Sequence, residues 1–162
     1  DEYPEIGDIE ETGKTFEENS LLKARTICKL TGLPALADDS GICVDALNGA
    51  PGLYSARYSG NGDAANNEKL LAELKEVPDE NRGAYFICVA AYVRPDGYEK
   101  VEEGRFYGKI MHQVKGSGGF GYDPLFQPEG LNCSSAELSA EEKDAISHRG
   151  KAMRAIAPYI IG

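Results

Sequence analysis

Residues 36–45 read LADDSGICVD, two adjacent aspartates, a serine and a glycine set between two apolar runs. Two readings compete, and the layout of the sheet depends on which one holds. In the first, Asp38 to Gly41 form a tight turn whose carboxylates bond to backbone amides, separating a short strand "PALA" from a second strand "ICVDAL". In the second, the two carboxylates are oxygen ligands held at the rim of a sheet. Adjacent side chains on a strand point to opposite faces, so one aspartate would face a cleft while the other pins its surroundings. The residue types alone favour the turn.

Upstream, Thr15-Phe16-Glu17-Glu18 is a capping-box signature. Leu21, Leu22, Ile27 and Leu30 follow as an apolar stripe, and Gly32 closes the predicted helix. Downstream, "NGAPGLYSARYSGNGD" has loop chemistry. Asp63 is then placed to cap a helix running to about Val77, with Leu70, Leu71 and Leu74 on its inner side. "GAYFICVAAYV" is the strongest strand in the chain, and "RPDG" turns it into "YEKVEE" as a hairpin. "RFYGKIMHQV" reads as a third antiparallel strand. Ser139-Ala140-Glu141-Glu142 opens another helix, and Ser147 can cap a new one, so a break is predicted between Asp144 and His148. The mixture predicts one α/β domain with flanking helices and a long, largely mixed sheet.

At 162 residues, 41% of them hydrophobic, the chain can bury a core and is not disordered by composition. The formal charge of −10 repels nucleic-acid backbone but tolerates a small phosphate ligand carried with a divalent cation. No apolar run approaches the roughly 18 residues that cross a bilayer, and no signal-peptide pattern opens the sequence. Cys28, Cys43, Cys88 and Cys133 are irregularly spaced without a CxxC pair, as buried thiols of a reducing cytosol would be. Only two histidines are present, His112 and His148, which disfavours a histidine metal centre.

The residues that can carry chemistry fall into four groups. Asp38 and Asp39 offer the carboxylate oxygens that Mg2+ prefers, usually one or two together with substrate phosphates. Glu10, Glu11, Glu17 and Glu18 can complete a carboxylate cluster, or serve as a solvated loop and a helix cap. Gly116, Gly118 and Gly121 match GxGxxG, but the motif runs into Tyr122-Asp123-Pro124 and not into a helix, against a dinucleotide fold. Glycines there suit close backbone approach to a ligand, with Phe120 and Tyr122 as faces for a flat base, or a flexible bulge with two core aromatics. Lys143, His148 and Arg149 supply cations. Five residues span about 140° on an ideal helix, so Lys143 and His148 converge only if the helix breaks between them.

The blocks "TFEENSLLKA", "ADDSG", "GAPGLYSARYSG", "GGFGYDP" and "EEKDAISHRGKA" occur in that order. From about Glu10 to Lys151 they resemble the inosine/xanthosine triphosphate pyrophosphatase family. The resemblance implies an elongated two-lobed α/β fold around a long mixed sheet, a nucleotide cleft between the lobes, and a homodimer. It implies Mg2+-dependent cleavage between the α and β phosphates, releasing the monophosphate and pyrophosphate. By the same resemblance, Asp39 is the proton acceptor and a metal ligand, and Glu11 is a second metal ligand. Ser40, Phe120, Gly121, Tyr122, Asp123, Lys143, His148 and Arg149 are the substrate contacts. Hypoxanthine and xanthine carry a C6 carbonyl where adenine carries an amino group, so donors such as His148 or Arg149, facing it, would leave adenine unpaired. Guanine shares that carbonyl and must be rejected from its C2 side.

The family's opening strand, its phosphate-gripping [ST]-x-N-x-x-K loop and its first helix are expected to be absent from this sequence. Ser59-Gly60-Asn61 begins like that motif, but Ala64 stands where the lysine belongs. Either the segment lies outside the given sequence or the protein is truncated, in which case hydrolysis of inosine triphosphate should be poor. The alternatives are a nucleotide-binding or dimerising module without turnover, and a related hydrolase of modified pyrimidine triphosphates.

Overall fold

The structure, a computed structural model, describes residues 14–116 and 121–161. Strand β1 runs without interruption over Ala35–Val44, so Asp38, Asp39 and Ser40 lie inside a strand. The predicted tight turn does not form. The reason is pairing: β1 lies antiparallel to β2 (Gly83–Val93) along its whole length, from Ala35 opposite Val93 to Val44 opposite Ala84. A turn at Asp38 would forfeit those ladder hydrogen bonds, and tertiary pairing overrides the local preference of two aspartates.

Strand β3 (Glu99–Ile110) pairs antiparallel with β2 from Val93–Glu99 to Gly83–Lys109. The two segments predicted separately, "YEKVEE" and "RFYGKIMHQV", are therefore one strand with Gly104 inside it. A short β4 (Phe126–Pro128) completes the order β1-β2-β3-β4. Every strand pairing among the described residues is antiparallel, so the α/β class arises here from hairpins with helices packed on both faces.

Helix α1 (Phe16–Thr31) begins as expected, with Thr15 Oγ1 accepting from the Glu18 amide at 3.0 Å. Glu18 reaches one residue further back and accepts from the Lys14 amide at 2.6 Å. Gly32 ends the helix in the left-handed region, φ 71°, and donates to Cys28 C=O. Helix α2 (Asp63–Glu73) stops short of Val77, and Asp63 is its first residue, with Gly62 at the cap. Ser139 forms the predicted capping box for α3 (Ala140–Ile146). The chain then breaks at Ser147, extended at φ −69° and ψ 158°, whose Oγ accepts from the Gly150 amide at the start of α4 (His148–Ile161).

On one face of the sheet α1 buries Ala24 and Cys28 against Ala35, Ala91 and Val93. Ser20 ties it down by donating to Val89 C=O at 2.6 Å. On the other face Ile42, Val44, Leu70, Leu74, Phe86, Phe106 and Phe126 form the main core, and Ala152 and Ile156 of α4 cover Cys88 and Ala90. Gly104 sets how closely α4 approaches. A Cβ there would lie 2.2 Å from His148 O and 2.6 Å from Ala152 N, so the first turn of α4 rests directly on β3 backbone. Cys28, Cys43 and Cys88 are buried, Cys133 is only partly so, and all four are free thiols. No helix among the described residues is long and apolar enough to cross a membrane.

Candidate active site

A cavity of about 620 Å³ opens between the outer half of β1 and the α3–α4 segment, with Asp38, Ser40, Ser135, Lys143, His148 and Arg149 among its lining. Asp38 takes its place there because β1 is a strand: its side chain leaves the sheet on the α4 side. Its Oδ2 accepts from the Cys88 thiol at 3.6 Å and lies 3.9 Å from Arg149 Nε. Burial, and then the Asp38 carboxylate, push the Cys88 thiol up to about 12, so it stays protonated and unreactive.

His148 is held flat against the core. Its ring stacks on Phe86 with centroids 4.9 Å apart and planes 15° from parallel, and lies 6.4 Å from Phe106. Burial, then the neighbouring Lys143 cation, lower its pKa to about 4, so the ring is neutral at physiological pH. Its Nδ1 is buried with no hydrogen-bond partner among the described residues, and Ser135 Oγ shares that condition. Lys143 forms an ion pair with Asp123, whose side chain is 3% exposed. The break at Ser147 brings Lys143 and His148 to one cavity, as the spacing argument requires.

Asp39 leaves the sheet on the opposite face, toward α1. Its Oδ2 accepts from Asn19 Nδ2 at 3.2 Å, and Lys23 Nζ lies 3.9 Å from its Oδ1. Lys23 also donates to Asp38 C=O. Asp39 does not line the cavity that Asp38 lines, yet its side chain keeps 12% of its exposure and is not sealed in the interior. β1 and β4 end the order of the described strands, and the two aspartates of β1 leave its sheet on opposite faces. Asn19 and Lys23 were not anticipated. Their signal is a polar pair four residues apart, one helical turn, within the amphipathic stretch of α1.

The glycine-rich segment is corrected in part. Tyr122, read either as a face for a flat base or as a core aromatic, packs its ring in the main core and donates its hydroxyl to Ser55 C=O at 2.6 Å. Gly121 (φ 60°) and Asp123 are not among the cavity lining either, and Asp123 reaches the cavity through Lys143. Glu11 and Phe120 lie outside the described residues. For a divalent cation, no group of three His, Cys, Asp or Glu side chains suits a metal ion among the described residues. A hard ion such as Mg2+ does not require one, since one or two carboxylates with substrate phosphates and water suffice, and the Asp39 carboxylate is a donor of that type.

A model of the Ham1 family matches residues 1–159. A dITP/XTP pyrophosphatase of Streptomyces coelicolor is 57% identical, the match covering 99% of this chain and 81% of the relative. One from Pseudomonas syringae is 60% identical over 89% of this chain and 75% of its own length. Among solved structures, a HAM1 protein from Coxiella burnetii superposes with a TM-score of 0.90 at 43% identity, over 97% of this chain and 82% of that one. A dITP/XTP pyrophosphatase of Mycobacterium abscessus gives 0.81 at 53% identity, over 97% and 81%. The family resemblance carried by the five sequence blocks is thereby borne out, and the chain belongs to the Ham1 family.

Proposed function

We propose that this chain hydrolyses non-canonical purine nucleoside triphosphates, those of inosine, deoxyinosine and xanthosine, to the monophosphate and pyrophosphate, and so cleanses the nucleotide pool. The relatives named dITP/XTP pyrophosphatase support that substrate class. The carrying observation is geometric: the two faces of β1 present a roomy cavity on the α4 side and an Asp39–Lys23 pair on the α1 side.

The base enters the cavity. A neutral His148 keeps one ring N–H, and Arg149, 64% exposed, brings guanidinium donors beside Asp38. Either donor satisfies a C6 carbonyl and leaves the adenine amino group without an acceptor. Lys143, held by Asp123, fixes the floor on which the purine rests. The triphosphate passes Ser40 and reaches toward Lys23, whose ammonium offsets phosphate charge. Asp39 orients the attacking water and takes up its proton, the Asn19 amide holding the carboxylate in place. Mg2+, held by Asp39 with Glu11, would neutralise charge on the phosphate oxygens when bound. The working protein is a homodimer of the cytoplasm.

Parallel incubation with inosine, xanthosine, adenosine and guanosine triphosphates, with and without Mg2+, tests the proposal. Release of pyrophosphate from the first two, only with the metal, is expected; equal turnover of all four would contradict it.

A further inference from the structure

Helix α2 takes no part in the site described above, yet its first turn grips the segment that leads into it. Asp63 Oδ2 accepts from the Gly121 amide at 3.1 Å, and Asn67 Nδ2 donates to Gly121 C=O at 3.0 Å. Residues four apart share one helix face, so the two side chains close on Gly121 from the same surface. Both backbone polar groups of one glycine are thus held by side chains of another element. Asp63 is free for this because the cap position is Gly62, which makes no side-chain capping bond.

The base of the clamp is anchored. Asn66 accepts from the Ser59 amide at 2.7 Å and donates to Ala56 C=O at 3.2 Å, fastening α2 to the turn at Gly52–Arg57. Gly121 itself stands at φ 60°, and a Cβ there would meet nothing within 4 Å. The two side-chain hydrogen bonds hold its backbone groups, and no crowding at Cβ adds to them. Immediately after it, Tyr122 is pinned to Ser55 C=O and Asp123 is paired with Lys143, which lines the cavity.

We propose that Asp63 and Asn67 are positioning residues for substrate affinity: through Gly121 they set Asp123, and through Asp123 the Lys143 ammonium. This rests on the assignment of the cavity to the purine under "Proposed function". A hydrogen bond of this kind contributes about 0.5–1.5 kcal/mol, so Asp63→Ala should raise KM for inosine triphosphate about two- to ten-fold while kcat changes far less.

The test is steady-state kinetics on the full-length protein with inosine triphosphate. Asp63→Asn keeps an acceptor facing the Gly121 amide and should restore the wild-type KM. Asn67→Asp sets a carboxylate against Gly121 C=O and should raise KM as Asp63→Ala does, with melting temperature followed in each case. An unchanged KM in both variants of an active protein overturns the clamp. So does a loss of kcat and stability together that Asp63→Asn fails to rescue, which is ordinary structural damage. A wild-type protein that takes no inosine triphosphate removes the underlying assignment, a result distinct from either.

Discussion

Asp38 and Asp39 are neighbours on one strand and face opposite sides of its sheet. Asp38 meets the Cys88 thiol and Arg149 beside the cavity, and Asp39 meets Asn19 and Lys23 beneath α1. A nucleotide is long enough to need both environments, a pocket for its base and a charged place for its phosphates. On the proposed reading, adjacent residues of β1 supply the two.

Asp39 should be separable from the fold. Asp39→Asn keeps shape and the acceptor toward Asn19 but removes charge and basicity. Turnover should fall at least a hundred-fold, the contribution of a positioned general base, with melting temperature nearly unchanged. Pyrophosphate release and a thermal scan on the same preparation check both halves.

The Asp123–Lys143 pair is largely buried, its side chains 3% and 17% exposed, so it should matter to stability as well as affinity. Lys143→Met leaves the Asp123 carboxylate buried without that cation, a change expected to cost about 3 kcal/mol. Urea denaturation measures it, and KM for inosine triphosphate should rise in the same variant.

His148 carries a pH signature. Its folded pKa, about 4, lies below the ordinary 6.5, so the unfolded chain binds the proton first as pH falls. His148 therefore leaves stability undiminished above about pH 6.5 and weakens it progressively as pH drops toward 4. Melting temperatures at several pH values should show this loss in the wild type and a shallower one in His148→Phe.

Gly104 is where the approach of α4 to the sheet can be tested alone. Gly104→Ala places a methyl group inside contact distance of His148 O and Ala152 N, so α4 must shift. Overpacking of this kind costs roughly 1–3 kcal/mol. Because His148 opens the displaced helix, KM should worsen along with stability, as kinetics and a denaturation curve on the purified variant would record.

Capping and periodicity made several elements readable from residues alone. Thr15, Gly32, Ser139 and Ser147 each sit at a helix boundary where their short-range chemistry puts them. Local chemistry misled at Asp38–Gly41 and at Gly104, where turn-like or breaker residues lie inside long strands, because sheet pairing is a long-range term that no short window contains. The convergence of Lys143 and His148 followed from the predicted helix break. The partition of the two aspartates between opposite faces followed from strand geometry once the strand was known. Asn19 and Lys23 were missed because a polar pair on a helix resembles a solvated face until the opposing strand is placed. Tyr122 had two readings, because an aromatic beside glycines looks the same whether it serves a ligand or the core, and its ring packs in the core.

The most direct measurement is the identity of the products formed from inosine triphosphate. Phosphorus NMR of the reaction should show inosine monophosphate and pyrophosphate appearing together in equal amounts. Inosine diphosphate with inorganic phosphate would place the cut at the wrong bond and contradict the account.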